Sequence, residues 1–245
     1  MVLQLDPDEG DESDAERAIR RQLERKMERE LATAFGEQLD TLLPEGASDD
    51  TIRAAPHQVT AAGEPVREVL RRNLEQGSSL GVSVAFDTLE QIGMAFDFNM
   101  AHARASRWAS AYSYELVRDI NATTTARLQV AVQDWFNERT TLPDLVKEIE
   151  PLFGRKRAKL ISQTETTRSA AMGAIEGYRE AGIADQQPTE TPPAHPGCRC
   201  WLTIRINDDN SADYIWLTAN DGERVCRVCG PRHGKSMGVA KAATS

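Results

Sequence analysis

Cysteine is confined to one end of this 245-residue chain: Cys198, Cys200, Cys226 and Cys229 all fall within the last 48 residues. Cys226-Arg227-Val228-Cys229-Gly230 is a CxxCG knuckle. Two thiolates at that spacing reach one tetrahedral Zn²⁺, and the glycine permits the tight turn that aims backbone N–H groups at sulfur. The other half-site is His195-Pro196-Gly197-Cys198-Arg199-Cys200. Cys198 with His195 has HxxC spacing, and Cys198 with Cys200 is a CxC pair whose thiols share one face of an extended segment. The expected ligands are therefore Cys226, Cys229 and Cys198, completed by His195 or Cys200, with His233 a further candidate. A site closed by four protein ligands is structural, and its binding energy is folding energy. The chain opens with MVLQLDPDEGDESD, which has neither the basic region nor the apolar core of an export signal, so paired cysteines read as metal ligands rather than disulfides.

Two enzymatic readings fail on spacing. Gly230-Pro231-Arg232-His233-Gly234-Lys235-Ser236 resembles a P-loop but has three residues between its glycines where four are required. A zinc deaminase needs H-x-E followed by P-C-x-x-C, whereas His195 is followed by Pro196 and Gly197. Without that glutamate there is no proton shuttle, and the expectation is a protein that is not an enzyme. His57 and His102 read as structural or solvent-facing.

These half-sites need elements to bring them together. Trp201–Ile206 and Tyr214–Thr218 read as strands around a polar turn, and antiparallel pairing of 201–206 with 214–219 would carry both ligand pairs to one end of a hairpin. A lone hairpin is marginal in water, so the ion would hold it. The preceding chain is helical. Ser13-Asp14-Ala15-Glu16 fits a capping box, and Ile19, Leu23, Met27, Leu31, Phe35 and Leu39 recur every four residues. A helix turns every 3.6 residues, so that stripe winds about its helix, which reads either as a charged helix with one sticky stripe or as a contact for a partner or a second copy. The division expected is an acidic tail and N-terminal helix over 1–43, a Pro/Gly/Ser linker over 44–63, a helical domain over 64–182, and a zinc-binding β-hairpin module over 183–245 whose end, VAKAATS, is disordered. Helix breaks are expected at Gly77, Asn121, Thr140–Pro143, Gly154 and Gly182. The fold class is thus mainly α, a helical body with a small C-terminal zinc-bound β-hairpin module.

Composition narrows the function. A net charge of −9 argues against a general nucleic-acid coat, which needs a basic surface. Residues 196–245 are nevertheless slightly basic, with seven lysines and arginines against five acids. Arg155-Lys156-Arg157-Lys159 is a second basic cluster, either a solvated face or a contact for DNA or an acidic partner. No run approaches the ~20 apolar residues of a membrane span, so no membrane role is expected.

Three separate segments resemble the phage head-morphogenesis proteins, the minor head proteins similar to protein F of phage Mu. They are Ile161–Arg168 (ISQTETTR) with the helix ending Gly177–Gly182, the stretch Pro192–Leu202 (PPAHPGCRCWL), and Trp216–Asp221 with Val225–Lys235 (VCRVCGPRHGK). The resemblance spans roughly 105–235. Family members place the CxxCGPxHG segment before the PPxHPxCRC segment, and here the order is reversed. The resemblance implies a virion protein inside the head near the portal, made in the host cytoplasm and acting in head assembly or DNA packaging. Its implied partners are the portal protein, the major capsid protein or both, with genomic DNA a further one. It implies no reaction. The competing reading is a zinc-ribbon nucleic-acid-binding module on a helical arm.

Overall fold

The computed structural model describes residues 14–138, 140–209, 211–219 and 227–241. Its helices are α1 (Asp14–Leu42), α2 (Asp49–Ala62), α3 (Glu64–Gln91), α4 (Phe98–Glu138), α5 (Leu142–Phe153) and α6 (Arg155–Glu180). Three strands follow, β1 (Trp201–Ile206), β2 (Ala212–Leu217) and β3 (Ser236–Lys241), with a single 3₁₀ turn at Gly230–Arg232. The chain is mainly α with a small C-terminal antiparallel sheet. Ser13 and the acidic segment 1–12 lie outside the described residues, as does Cys226.

Packing divides the chain into two compact units that are discontinuous in sequence, so the expected boundaries at 63 and 182 are not where packing separates. One unit comprises Glu24–Asn73 and Ser110–Ser162. Its core is Met27, Leu31, Phe35, Leu42, Ile52, Val59, Leu70, Leu128, Ile149 and Phe153. The segment expected to be a linker contains α2. Ser48 caps it by accepting from the Thr51 N–H, and Asp49 and Asp50 favour the positive end of its dipole. Ile52, Ala55, Pro56 and Val59 supply its buried face, a 3–4 spacing hidden among Pro, Gly and Ser.

The basic cluster at the start of α6 is only partly a solvated face. Arg155 pairs with Glu28 at 2.7 Å. Arg157 turns inward, donating to Thr124 Oγ1 at 2.9 Å and to the carbonyls of Leu152 and Ile120, with its guanidinium over the Phe35 ring. Burial pulls its pKa below the usual arginine value, and neighbouring Arg127 pulls it the same way.

In α1 the buried face coincides with the period-four apolar stripe only at Met27, Leu31 and Phe35. It runs Arg20, Glu24, Met27, Leu31, Phe35, Gln38 and Leu42, while Ile19 at the stripe's start is 47% exposed. Steps of four and three average close to 3.6 residues, so this face stays straight where the apolar stripe drifts off it. Polar side chains therefore occupy positions along the buried line, and Gln38 donates to the Val59 carbonyl at 3.0 Å.

The other unit comprises Leu74–Ala109, Gln163–Ser245 and the chain before Glu24. Here α3 continues through Gly77, which is not a terminus, because α6 lies against it. A Cβ on Gly81 would overlap the carbonyl oxygen of Ala170, and one on Gly173 would overlap that of Ser78. Gly77 faces Ser169, and a Cβ on Gly177 would sit 2.6 Å from that of Ala85. Two helix backbones thus meet with no side chain between them. Asn121, another expected break, is buried inside an uninterrupted α4. The breaks at Thr140–Pro143, Gly154 and Gly182 are as expected, and at Gly182 (φ 70°) the Ile183 N–H returns to the Tyr178 carbonyl.

The sheet has the order β1-β2-β3. Trp201 pairs with Leu217 and Ile206 with Ala212, a register two residues from the one expected that leaves the same faces and ends together. The hairpin is in fact three-stranded. β3 occupies 236–241, so the first residues of VAKAATS are ordered, and residues 242–245 lie outside the described residues. Its outer edge is covered: Asp185 and Gln186 donate to the Ala240 carbonyl, and Thr189 to that of Met237. One face of the sheet, with Leu202, Ile204, Tyr214 and Trp216, packs on Ala85, Leu89, Ile175 and Tyr178 of α3 and α6.

Gly81→Ala and Gly173→Ala should each cost about 1–3 kcal/mol or more, because backbone rather than a side chain must move. Gly36→Ala, in a helix with open space at that Cβ position, should gain about 0.5–1 kcal/mol; urea unfolding of the three variants compares them. Burial raises the Tyr178 phenol to about 12 from an ordinary 10. Its stabilising contribution is complete below pH 10 and is lost as the pH climbs through 12, because only the unfolded chain ionises in between. The free energy of unfolding, measured by urea titration, should fall over that window by roughly 2–3 kcal/mol, and by clearly less in Tyr178→Phe.

Candidate metal centre

His195-Pro196-Gly197-Cys198 forms a type II turn. Pro196 presets φ at the second position, Gly197 takes φ 76° at the third, and the Cys198 N–H closes it on the His195 carbonyl at 3.1 Å. The two potential ligands are the ends of this turn. Helix α6 holds it in place. Thr164 Oγ1 accepts from the Gly197 N–H at 2.9 Å, and Thr167 Oγ1 donates to the Cys198 carbonyl at 2.7 Å. Residues three apart share a helix face, so Thr164 and Thr167 form one bracket. Arg20 adds a further tie, donating to the Arg199 carbonyl with its guanidinium 5.3 Å from the centre of the Trp201 ring.

Cys229 comes from the segment that leads into β3, at the opposite edge of the sheet from β1. It precedes the 3₁₀ turn, whose Arg232 N–H returns to the Cys229 carbonyl at 2.9 Å. The chain is then tied to β2 by Gly234 donating to Trp216 and Trp216 donating to Lys235. Arg232 reaches across to Glu190 at 2.8 Å.

His195, Cys198 and Cys229 meet, with their ligand atoms all within 4.8 Å of one another. The two sulfurs are 3.6 Å apart, and Cys229 Sγ is 3.3 Å from His195 Nε2. A tetrahedron with Zn–S of about 2.3 Å and Zn–N of about 2.0–2.1 Å has S–S and S–N edges of about 3.8 and 3.6 Å. The two edges that meet at Cys229 therefore match those of a small tetrahedral ion to within a few tenths of an ångström. His195 Nδ1 lies 2.9 Å from the Pro196 carbonyl, which can only accept. That places the proton on Nδ1 and leaves the Nε2 lone pair facing the sulfurs, the orientation that metal-bound histidines take from their outer partners.

The other expected ligands are distributed as follows. Cys200 is buried near Cys198 and Cys229 and interacts with both, but it is not in the group of mutually close donors. The hydrogen bond it donates lowers the Cys198 pKa, helped by the backbone N–H groups of Cys200 and Ala194 and opposed by burial. The same bond, with burial, raises that of Cys200. Of the two alternatives left by spacing, His195 is thus the one that joins Cys198. His233 is occupied elsewhere: its Nδ1 accepts from the Thr218 N–H at 3.2 Å. Cys226 lies outside the described residues. Sequence spacing also gave no positioning role to Thr164, Thr167 or Arg20, whose side chains act through backbone carbonyls and N–H groups rather than through a motif of their own.

No family model, curated protein or solved structure matches this chain.

Thr167→Val keeps the side-chain shape but removes the bond to the Cys198 carbonyl. Metal affinity should fall about 10-fold or more, measured by competition with a chromophoric chelator. An unchanged affinity would show that α6 does not position the turn.

Proposed function

We propose that the chain is a phage minor head protein acting in head assembly or DNA packaging near the portal, and that the ion of its centre is a structural Zn²⁺. The observation that carries this reading is where the three resemblance segments meet. Thr164 and Thr167 come from the first segment, His195 and Cys198 from the second, and Cys229 from the third. Their order along the chain is reversed relative to the family, but antiparallel pairing of β1 with β2 returns the chain toward the same end of the sheet. The side chains that define the resemblance can thus serve one centre through a different connection.

Zinc suits these donors because thiolate and imidazole are ligands it prefers, and because it imposes no geometry beyond the tetrahedron. Cys226, at CxxC spacing from Cys229, is the fourth ligand this reading expects. With four protein ligands the ion has no open position for water, and its role is to join the knuckle of Cys229 to the turn of His195. The bracket on α6 then makes the small sheet part of the helical unit.

The test is made on assembled particles of the phage that encodes the chain. The protein should copurify with heads at a few copies per particle, crosslink to portal or major capsid protein, and carry one zinc per chain by elemental analysis. Its absence from heads would overturn the assembly role. Binding of the full chain to duplex DNA that weakens steeply with salt, without head association, would favour the nucleic-acid module instead.

A further inference from the structure

We propose that Cys198 and Cys229 close the centre in two interchangeable ways, by sharing a metal ion under reducing conditions and by joining as a disulfide when a peroxide removes the ion's ligands. This rests on the metal reading above and adds to it what happens to the sulfurs when the ion leaves.

The two sulfurs are in direct contact at 3.6 Å, from positions 31 residues apart. A disulfide brings sulfurs to about 2.05 Å, so the change asked of these side chains is small. Cys200 is the competing partner, since it interacts with both, but its thiol lies outside the group of mutually close donors. A Cys198–Cys200 link is further disfavoured by backbone geometry. Cys200 leads directly into β1, and residues two apart in extended chain have Cα atoms roughly 6.6 Å apart, near the upper limit of about 6.8 Å for a disulfide. Cys198 and Cys229 lie on separate segments and carry no such constraint. Both thiols are buried, yet Cys229 sits beside Val228, which is 45% exposed, and His195 is only half-buried.

The step balances as follows. One thiolate takes an oxygen from the peroxide and becomes a sulfenic acid, and the departing hydroxide is protonated to water. The other thiolate attacks that sulfur and the S–S bond forms. The second hydroxide leaves and is protonated to a second water. Two thiolates, one peroxide and two protons thus give one disulfide and two waters, and the ion passes to solvent. The same two segments remain fastened throughout.

The test uses the full chain loaded with zinc and treated with one equivalent of hydrogen peroxide. Zinc release is followed with a chromophoric chelator, and linkages are mapped by peptide mass spectrometry without reduction. One equivalent of zinc should be lost in step with a Cys198–Cys229 linkage, in wild type and in Cys200→Ser alike, with the thermal transition retained. A linkage through Cys200 or Cys226 would overturn the proposal. So would zinc loss that leaves sulfinic acids and no linkage. A chain that never takes up zinc would overturn the metal reading itself, whereas zinc uptake without the Cys198–Cys229 linkage overturns only the exchange.

Discussion

The approach of α3 to α6 is the constraint on which the rest of their unit depends. At Gly81 and Gly173 each helix presents bare backbone to the other, and even a methyl group would collide with a carbonyl oxygen. Contact this close gains dispersion along both backbones and tolerates little displacement. It fixes the position of α6, and α6 in turn carries Thr164 and Thr167, the bracket for the ligand turn. The sheet packs on the same pair of helices through Ile175, Tyr178, Ala85 and Leu89. A packing contact made of glycine thus governs where a histidine and a cysteine sit.

The centre is assembled from parts that have little stability alone. A type II turn, a 3₁₀ turn and three six-residue strands bury few side chains by themselves. They are held instead by directional bonds from rigid helices, by Arg20 at the start of β1, and by the covered edge of β3. An ion among His195, Cys198 and Cys229 would add a direct link between the turn and the Cys229 segment. Its orienting bond, from His195 Nδ1 to the Pro196 carbonyl, lies within the turn itself.

Several buried positions are polar. Arg20, Glu24 and Gln38 lie on the buried line of α1, and Arg157 reaches among carbonyls beside Phe35. Such groups contribute only when their hydrogen bonds are made inside the protein, and an unpaired group costs more than a paired one returns. They favour one arrangement over near alternatives that an apolar stripe alone would tolerate.

The sequence by itself determined the elements whose cause is local. Helix-forming composition, the Gly182 terminus, the break at Thr140–Pro143 and the two strands follow from residue preferences within a few positions. It also identified Cys198, Cys229 and His195, because ligand chemistry restricts which residues can serve. Tertiary structure decided the rest. Gly77 and Asn121 look like breaks and lie within helices, because neighbouring segments of the same chain supply the contacts that offset their poor propensity. The segment 49–62 reads as a linker and folds as α2, because its few apolar residues find a core. Spacing fitted His195 and Cys200 equally well, and only the fold, by setting which donor atom faces Cys229, distinguished them. β3 was invisible for the same reason: a strand of Ser, Met, Gly, Val, Ala and Lys is specified by the edge it completes and hardly at all by its own residues.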